Sequence, residues 1–182
     1  MRARMKYLRR LISFVAVKMV LFTAISAIIV CAFYIAFNLG NAYILVGEGM
    51  EKRAAVALTR ENATDLNGYF TGSFLNSDPV LEYAFSDASP YLPYNITGYE
   101  YDISIESLKV WPWGDEIVCI VIEHMEDIKG TVKAAYASEI SGAPAPWASG
   151  RYELRLKKQS DNGQWKISSI RQDANYKDTG DA

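Results

Sequence analysis

The sequence predicts an α+β protein: one N-terminal transmembrane helix, followed by a domain of helices packed on a curved, cone-like antiparallel sheet. Three observations carry this. Met19–Phe37 is a run of 19 residues without a charge. Apolar residues then recur at three- and four-residue steps between Met50 and Phe74. From Tyr99 onward the period changes to two, and strand-like stretches alternate with turn sequences. Helical period first and strand period second is the pattern of helices segregated to one face of an antiparallel sheet.

The apolar run suits a membrane. At about 1.5 Å per residue it covers roughly 28 Å, against a hydrocarbon core of about 30 Å. Before it stand Arg2, Arg4, Lys6, Arg9, Arg10 and Lys18 with no acid; all 21 acids and the other 13 basic residues lie beyond residue 47. The net charge of −2 therefore divides into +6 on the tail and 13 − 21 = −8 on the remainder. The positive-inside rule places the basic tail, residues 1–18, in the cytoplasm and the acidic part outside. The sequence then divides into a transmembrane helix (19–37), a juxtamembrane connector (38–49), an extracytoplasmic domain (50–172) and a polar C-terminal tail (173–182). A cleaved signal peptide fits less well, because its apolar region is about 7–15 residues and ends in a small-x-small site. Phe37-Asn38-Leu39-Gly40-Asn41 is no such site. A lipoprotein cysteine at Cys31 would need a small residue before it, where Val30 stands. A buried core helix is opposed by the flanking charges.

The same numbers exclude several classes. An acidic outer domain repels nucleic acid, whose affinity comes mainly from neutralised phosphates. Cys31 and Cys119 lie in the apolar run and in an expected strand, so no disulfide framework is expected. His124 is the one histidine, which excludes a histidine-rich metal site. Gly40, Gly47 and Gly49 form no phosphate loop, and no cofactor motif is expected.

Within the domain, Glu51–Arg60 is strongly helix-forming, with Glu51, Lys52, Arg53 and Arg60 as a solvated face. Asn62 or Thr64 caps a further helical stretch carrying Leu66, Tyr69, Phe70 and Phe74. Asp78 caps a short helix that opens at Pro79. Residues 86–98 read as loop. Tyr99, Tyr101, Ile103 and Ile105 alternate with polar residues as a half-buried strand, and a shift of parity at Leu108 and Val110 marks a β-bulge. Trp111–Asp115 is a turn. Ile117–Ile122 is continuously apolar and reads as a central strand covered on both faces, reaching solvent at Glu123, His124, Glu126 and Asp127. A third strand is expected at Thr131–Ala137, a fourth around Tyr152–Lys157, and a fifth from Trp165, joined to the fourth by the Asp161-Asn162-Gly163 hairpin turn. Ile170 shows a second parity shift. Four or five strands in a meander follow.

These features resemble the nuclear-transport-factor-2-like superfamily. The resemblance is carried by the N-terminal helical block, the long bent strand Tyr99–Trp111, and the closing hairpin from Tyr152-Glu-Leu-Arg-Leu-Lys-Lys to Gln164-Trp-Lys-Ile-Ser-Ser-Ile170. With the membrane helix in front, the chain is similar to the bitopic assembly subunits of type IV secretion and Gram-positive conjugation machines. That resemblance implies a non-catalytic scaffold at the cell membrane, whose partners are other envelope-machine subunits and further copies of itself. The alternatives are a membrane-anchored domain that binds or senses a small molecule, and a lyase- or isomerase-type enzyme. Enzymes of the superfamily line the cone with Asp, His and Tyr, for which the chain offers Asp102, His124, Tyr69 and Tyr101. Asp102 falls on the polar parity of its strand, however, and His124 sits among acids at a strand end, so no catalytic residue is assigned. The candidate interface residues are Tyr91, Tyr94, Trp111, Trp113 and Trp147, in or beside loops. They serve either as contact anchors or as a plug for the cone mouth. Asn62-Ala-Thr and Asn95-Ile-Thr fit a glycosylation acceptor pattern that also arises by chance.

Overall fold

The structure is a computed structural model that describes residues 2–111, 113–174 and 176; Pro112 and most of the polar tail lie outside them. The chain forms two compact units, Met1–Asn38 and Leu39–Ala182. Helix α1, Arg2–Thr59, runs through the boundary.

Among the described residues, the first unit contains helix alone. The helix is long and apolar enough to cross a membrane. Its large apolar side chains are turned outward, Phe22, Ile28, Val30 and Phe33 among them. Thr23 donates its hydroxyl to the Met19 carbonyl (2.9 Å), which satisfies that group within the helix.

The expected connector, residues 38–49, is helical as well. Three glycines weaken a helix by about 1 kcal/mol each relative to alanine. Packing offsets this, because Ala42, Val46, Met50 and Ala57 fall on one face and enter the main core. Gly49 is required by close approach: a Cβ there would lie 3.1 Å from Ile167 Cδ1 and 3.2 Å from Tyr69 Cβ. The helix ends at Arg60, left-handed at φ 63°, whose N–H donates to the Val56 carbonyl.

A 3-10 turn, Ala63–Gly68, and helix α2, Gly72–Leu75, replace the single helical stretch expected there. Between them the backbone pairs with a strand instead: Ile167 N–H donates to the Tyr69 carbonyl and Thr71 N–H to the Ile167 carbonyl. Helix α3, Pro79–Phe85, starts where expected, with the Asp78 carboxylate accepting the Val80 N–H.

The sheet has four antiparallel strands in the order β1-β2-β3-β4: Tyr94–Val110, Glu116–Val132, Gly150–Lys158 and Trp165–Gln172. The segment expected as a separate third strand is divided. Thr131 and Val132 complete β2 opposite Asn95 and Tyr94, and Ala134–Tyr136 is a 3-10 turn. Strand β2 survives its polar stretch because Asp127 takes φ 51° where the register shifts, so the strand bends there without stopping. Both parity shifts coincide with register shifts, between Ile105 and Ser107 and between Arg155 and Leu156.

One face of the sheet is covered along β2 and β3 and at Ile167, and half-covered along β1. Ile117, Cys119 and Val121 of β2, Leu154 and Leu156 of β3 and Ile167 of β4 pack with α1. On the other face Val118, Ile120 and Ile122 are half-buried. The expectation of a strand covered on both faces is thus met on one. The outer face carries the ion pairs of Arg151 with Glu106 and Asp173, and of Arg155 with Glu153 and Glu116. Partly exposed pairs of this kind add little stability.

Candidate functional site

Helical periodicity puts Arg53 on the same face as Met50, Ala54 and Ala57, so its guanidinium points inward. It is 4 % exposed, which corrects its expected place on a solvated face. It meets the α3 cap: Arg53 Nε donates to Asp78 Oδ2 at 2.6 Å and Nη2 to Oδ1 at 2.8 Å. Asp78 therefore holds α3 by its Val80 contact and α1 by this bidentate pair.

A second carboxylate lies in the same interior. Glu123 shares the inward parity of Cys119, Val121 and Met125, and it is fully buried, not emerging into solvent as its polar neighbours suggest. Tyr101 Oη donates to Glu123 Oε1 at 3.1 Å, and Trp147 Nε1 donates to Oε2 at 3.3 Å. Burial raises the Glu123 pKa, more than the Arg53 charge and the Trp147 and Tyr101 hydrogen bonds hold it down. Burial likewise opposes the Arg53 charge, but the Asp78 hydrogen bond and the carboxylates of Asp78 and Glu123 outweigh it and raise that group's pKa. Burial and the nearby Glu123 push the Tyr152 hydroxyl up to about 12. One guanidinium thus serves two carboxylates, and Glu123 is the one driven toward its neutral form.

This gives a sign for pH dependence. The folded chain binds the Glu123 proton more tightly than the unfolded chain does. Stability therefore falls as pH rises from the ordinary carboxylate value through the raised one. Glu123→Gln is expected to flatten that fall. Denaturation midpoints of both proteins between about pH 4 and about pH 8 check it; parallel profiles would contradict it.

Beside the network lies a cavity of about 380 Å³. Arg53, Asp78, Tyr152 and Ser89 contribute polar groups, and Phe74, Val80, Ala84, Pro146 and Ile170 contribute apolar ones. Ser89 is buried and its hydroxyl has no hydrogen-bond partner among the described residues. Glu123 does not line this cavity.

The five aromatic candidates divide. Tyr91 and Tyr94 are buried and donate to the Pro146 and Ala143 carbonyls, and the Tyr91 ring stacks on Trp147. With Trp147 on Glu123, these three hold the loop before β3 against the sheet. Trp111 and Trp113, at the β1–β2 hairpin, are 68 % and 78 % exposed. Among the groups weighed for catalysis, Asp102 is exposed, His124 Nε2 lies 2.8 Å from Glu126 Oε1 on the outer face, and Tyr69 donates to Glu48. Only Tyr101 reaches the buried network. Arg53, Glu123 and the second role of Asp78 are additional to the sequence-based candidates, and the two parities that carry Arg53 and Glu123 were the available signal.

Compared with protein-family models, with characterised proteins and with solved structures, the chain shows no match.

Proposed function

We propose that the chain is a single-pass membrane protein, its basic tail cytoplasmic, whose outer unit is a non-catalytic domain that binds a small molecule. The carrying observation is the cavity: largely apolar walls, a buried ion pair, and the unpartnered Ser89 hydroxyl. Such a lining suits a mainly apolar molecule with one polar group, which Ser89 can bond. Catalysis is disfavoured because Glu123 is taken up by Tyr101 and Trp147, while Asp102 and His124 lie on the other side of the sheet from the buried network. A test uses the full chain in lipid nanodiscs with 4-fluorophenol as probe, read by fluorine NMR. Saturable binding is expected, weakened by Ser89→Ala and lost in Val80→Phe, which fills the cavity. Identical titrations for all three proteins would overturn the reading.

A second reading keeps the outer unit as an assembly component of an envelope machine for conjugation or secretion. Its support is β1, a 17-residue strand at the sheet edge. The β4 edge, by contrast, is partly paired by Phe70. An open edge offers backbone groups to a strand of another subunit or copy. Cross-linking in membranes that recovers only monomer, with no co-purifying envelope proteins, would remove this reading.

A further inference from the structure

The second unit has a definable end where the chain comes in, at Leu39. Asn41 and Leu45 border one groove together with Gly163, Gln164 and Trp165, so the β3–β4 hairpin lies at that end. The β1–β2 hairpin lies beside it, since Lys158 N–H donates to the Asp115 carbonyl. Strand β1 runs antiparallel to α1: Ile96 and Tyr99 pack with Ala54 and Leu58, whereas Ile103 borders Tyr43, Ile44 and Gly47. Further along β1, Leu108 and Val110 pack on the core that includes Ala42, so the strand continues toward the Leu39 end.

Two features mark this end, although Tyr83 and Phe85 of α3 are exposed as well. Trp111 and Trp113 stand 68 % and 78 % exposed at the tip, and Tyr43 and Ile44 of α1 are also exposed. Leaving large apolar side chains in water is unfavourable, and Trp in particular favours the headgroup layer, where its ring is buried and its N–H stays hydrated. The charge also changes. On or beside the two hairpins, Lys109, Lys157 and Lys158 stand with Asp115, Glu116 and Asp161, in a part of the chain that carries −8 overall, while Lys166 donates to the Asn67 carbonyl.

We propose that the Trp111–Trp113 hairpin is a membrane-surface contact: the two indoles insert into the headgroup layer of the bilayer that α1 crosses, and the neighbouring lysines face its anionic lipids. The inference rests on the membrane reading of α1. The hairpin would then hold the outer unit to the membrane surface at a point other than α1.

The test uses the full chain in liposomes containing lipids brominated near the headgroup or near the chain end. Tryptophan emission is compared between the wild type and Trp111→Phe/Trp113→Phe. Shallow bromines are expected to quench the wild type more than deep ones, and the quenchable emission is expected to be lost in the variant. Acrylamide, a water-borne quencher, is expected to reach the hairpin less well in liposomes than in detergent-free urea. If the chain resists alkaline carbonate extraction yet its hairpin tryptophans are quenched by acrylamide and not by brominated lipid, this inference fails and the anchor stands. Shielding from both quenchers points to a protein partner and overturns it equally. A chain released by carbonate overturns the anchor reading itself.

Discussion

Arg53→Ala is expected to destabilise the outer unit by about 3–5 kcal/mol, the usual cost of removing one partner from a buried ion pair. The reason lies in what remains. Asp78 would lose its bidentate partner and, among the described residues, retain the Val80 N–H as donor, and Glu123 would lose the Arg53 charge that holds its pKa down. Two helices depend on the contact, because Asp78 joins the α1 face to the start of α3. Urea unfolding of the full chain in detergent micelles, followed by tryptophan emission, reads the loss. Trp147 is a suitable reporter, since its indole N–H bonds Glu123. Arg53→Met combined with Asp78→Asn keeps the cap and removes both charges, so it is expected to be more stable than Arg53→Ala. If the double variant is no better than the single one, the pair is not what stabilises this interior.

Placing two arginines in the apolar run, Ile28→Arg with Val30→Arg, is expected to abolish membrane integration. Each arginine at a helix centre costs roughly 2.5–3.5 kcal/mol for insertion, so two cost roughly 5–7 kcal/mol. Both side chains are exposed on α1, so no packing in the first unit is sacrificed. The wild type should remain in the membrane pellet after alkaline carbonate and the variant should not. A variant that stays in the pellet would contradict the membrane reading, whatever the outer unit binds.

The two cases differ in how far the sequence displays them. The apolar run, its flanking charges, the Asp78 cap, the Asp161-Asn162-Gly163 turn and both bulges are legible because each is set by residues within one or two turns of chain. Sequence neighbours place Arg53 on a solvated face, since Glu51 and Lys52 are polar and exposed. Its spacing from Met50 and Ala57 pointed inward, but an inward arginine makes sense only with a partner, and Asp78 is 25 residues away. Glu123 was hidden differently. The apolar run Ile117–Ile122 masks the alternation of β2, so the acid reads as the end of the strand, when it occupies the next inward position. The glycines of the 38–49 segment suggest a connector, while the core contacts of Ala42 and Val46 keep it helical.

By itself the sequence determined the class of most segments: an apolar helix, a helical block with a capped third helix, and a bending antiparallel meander, but not the helical 38–49 segment or the 3-10 turn at Ala134–Tyr136. Periodicity, capping and turn chemistry act over a few residues and need no knowledge of the fold. Tertiary structure alone decided that β2 is one strand, that Arg53 meets Asp78 and shares its interior with Glu123, that a cavity borders the pair, and which tryptophans remain outside. Those outcomes depend on which surfaces meet across tens of residues. There, the cost of burying a charge or leaving an indole in water is set by groups distant in the chain.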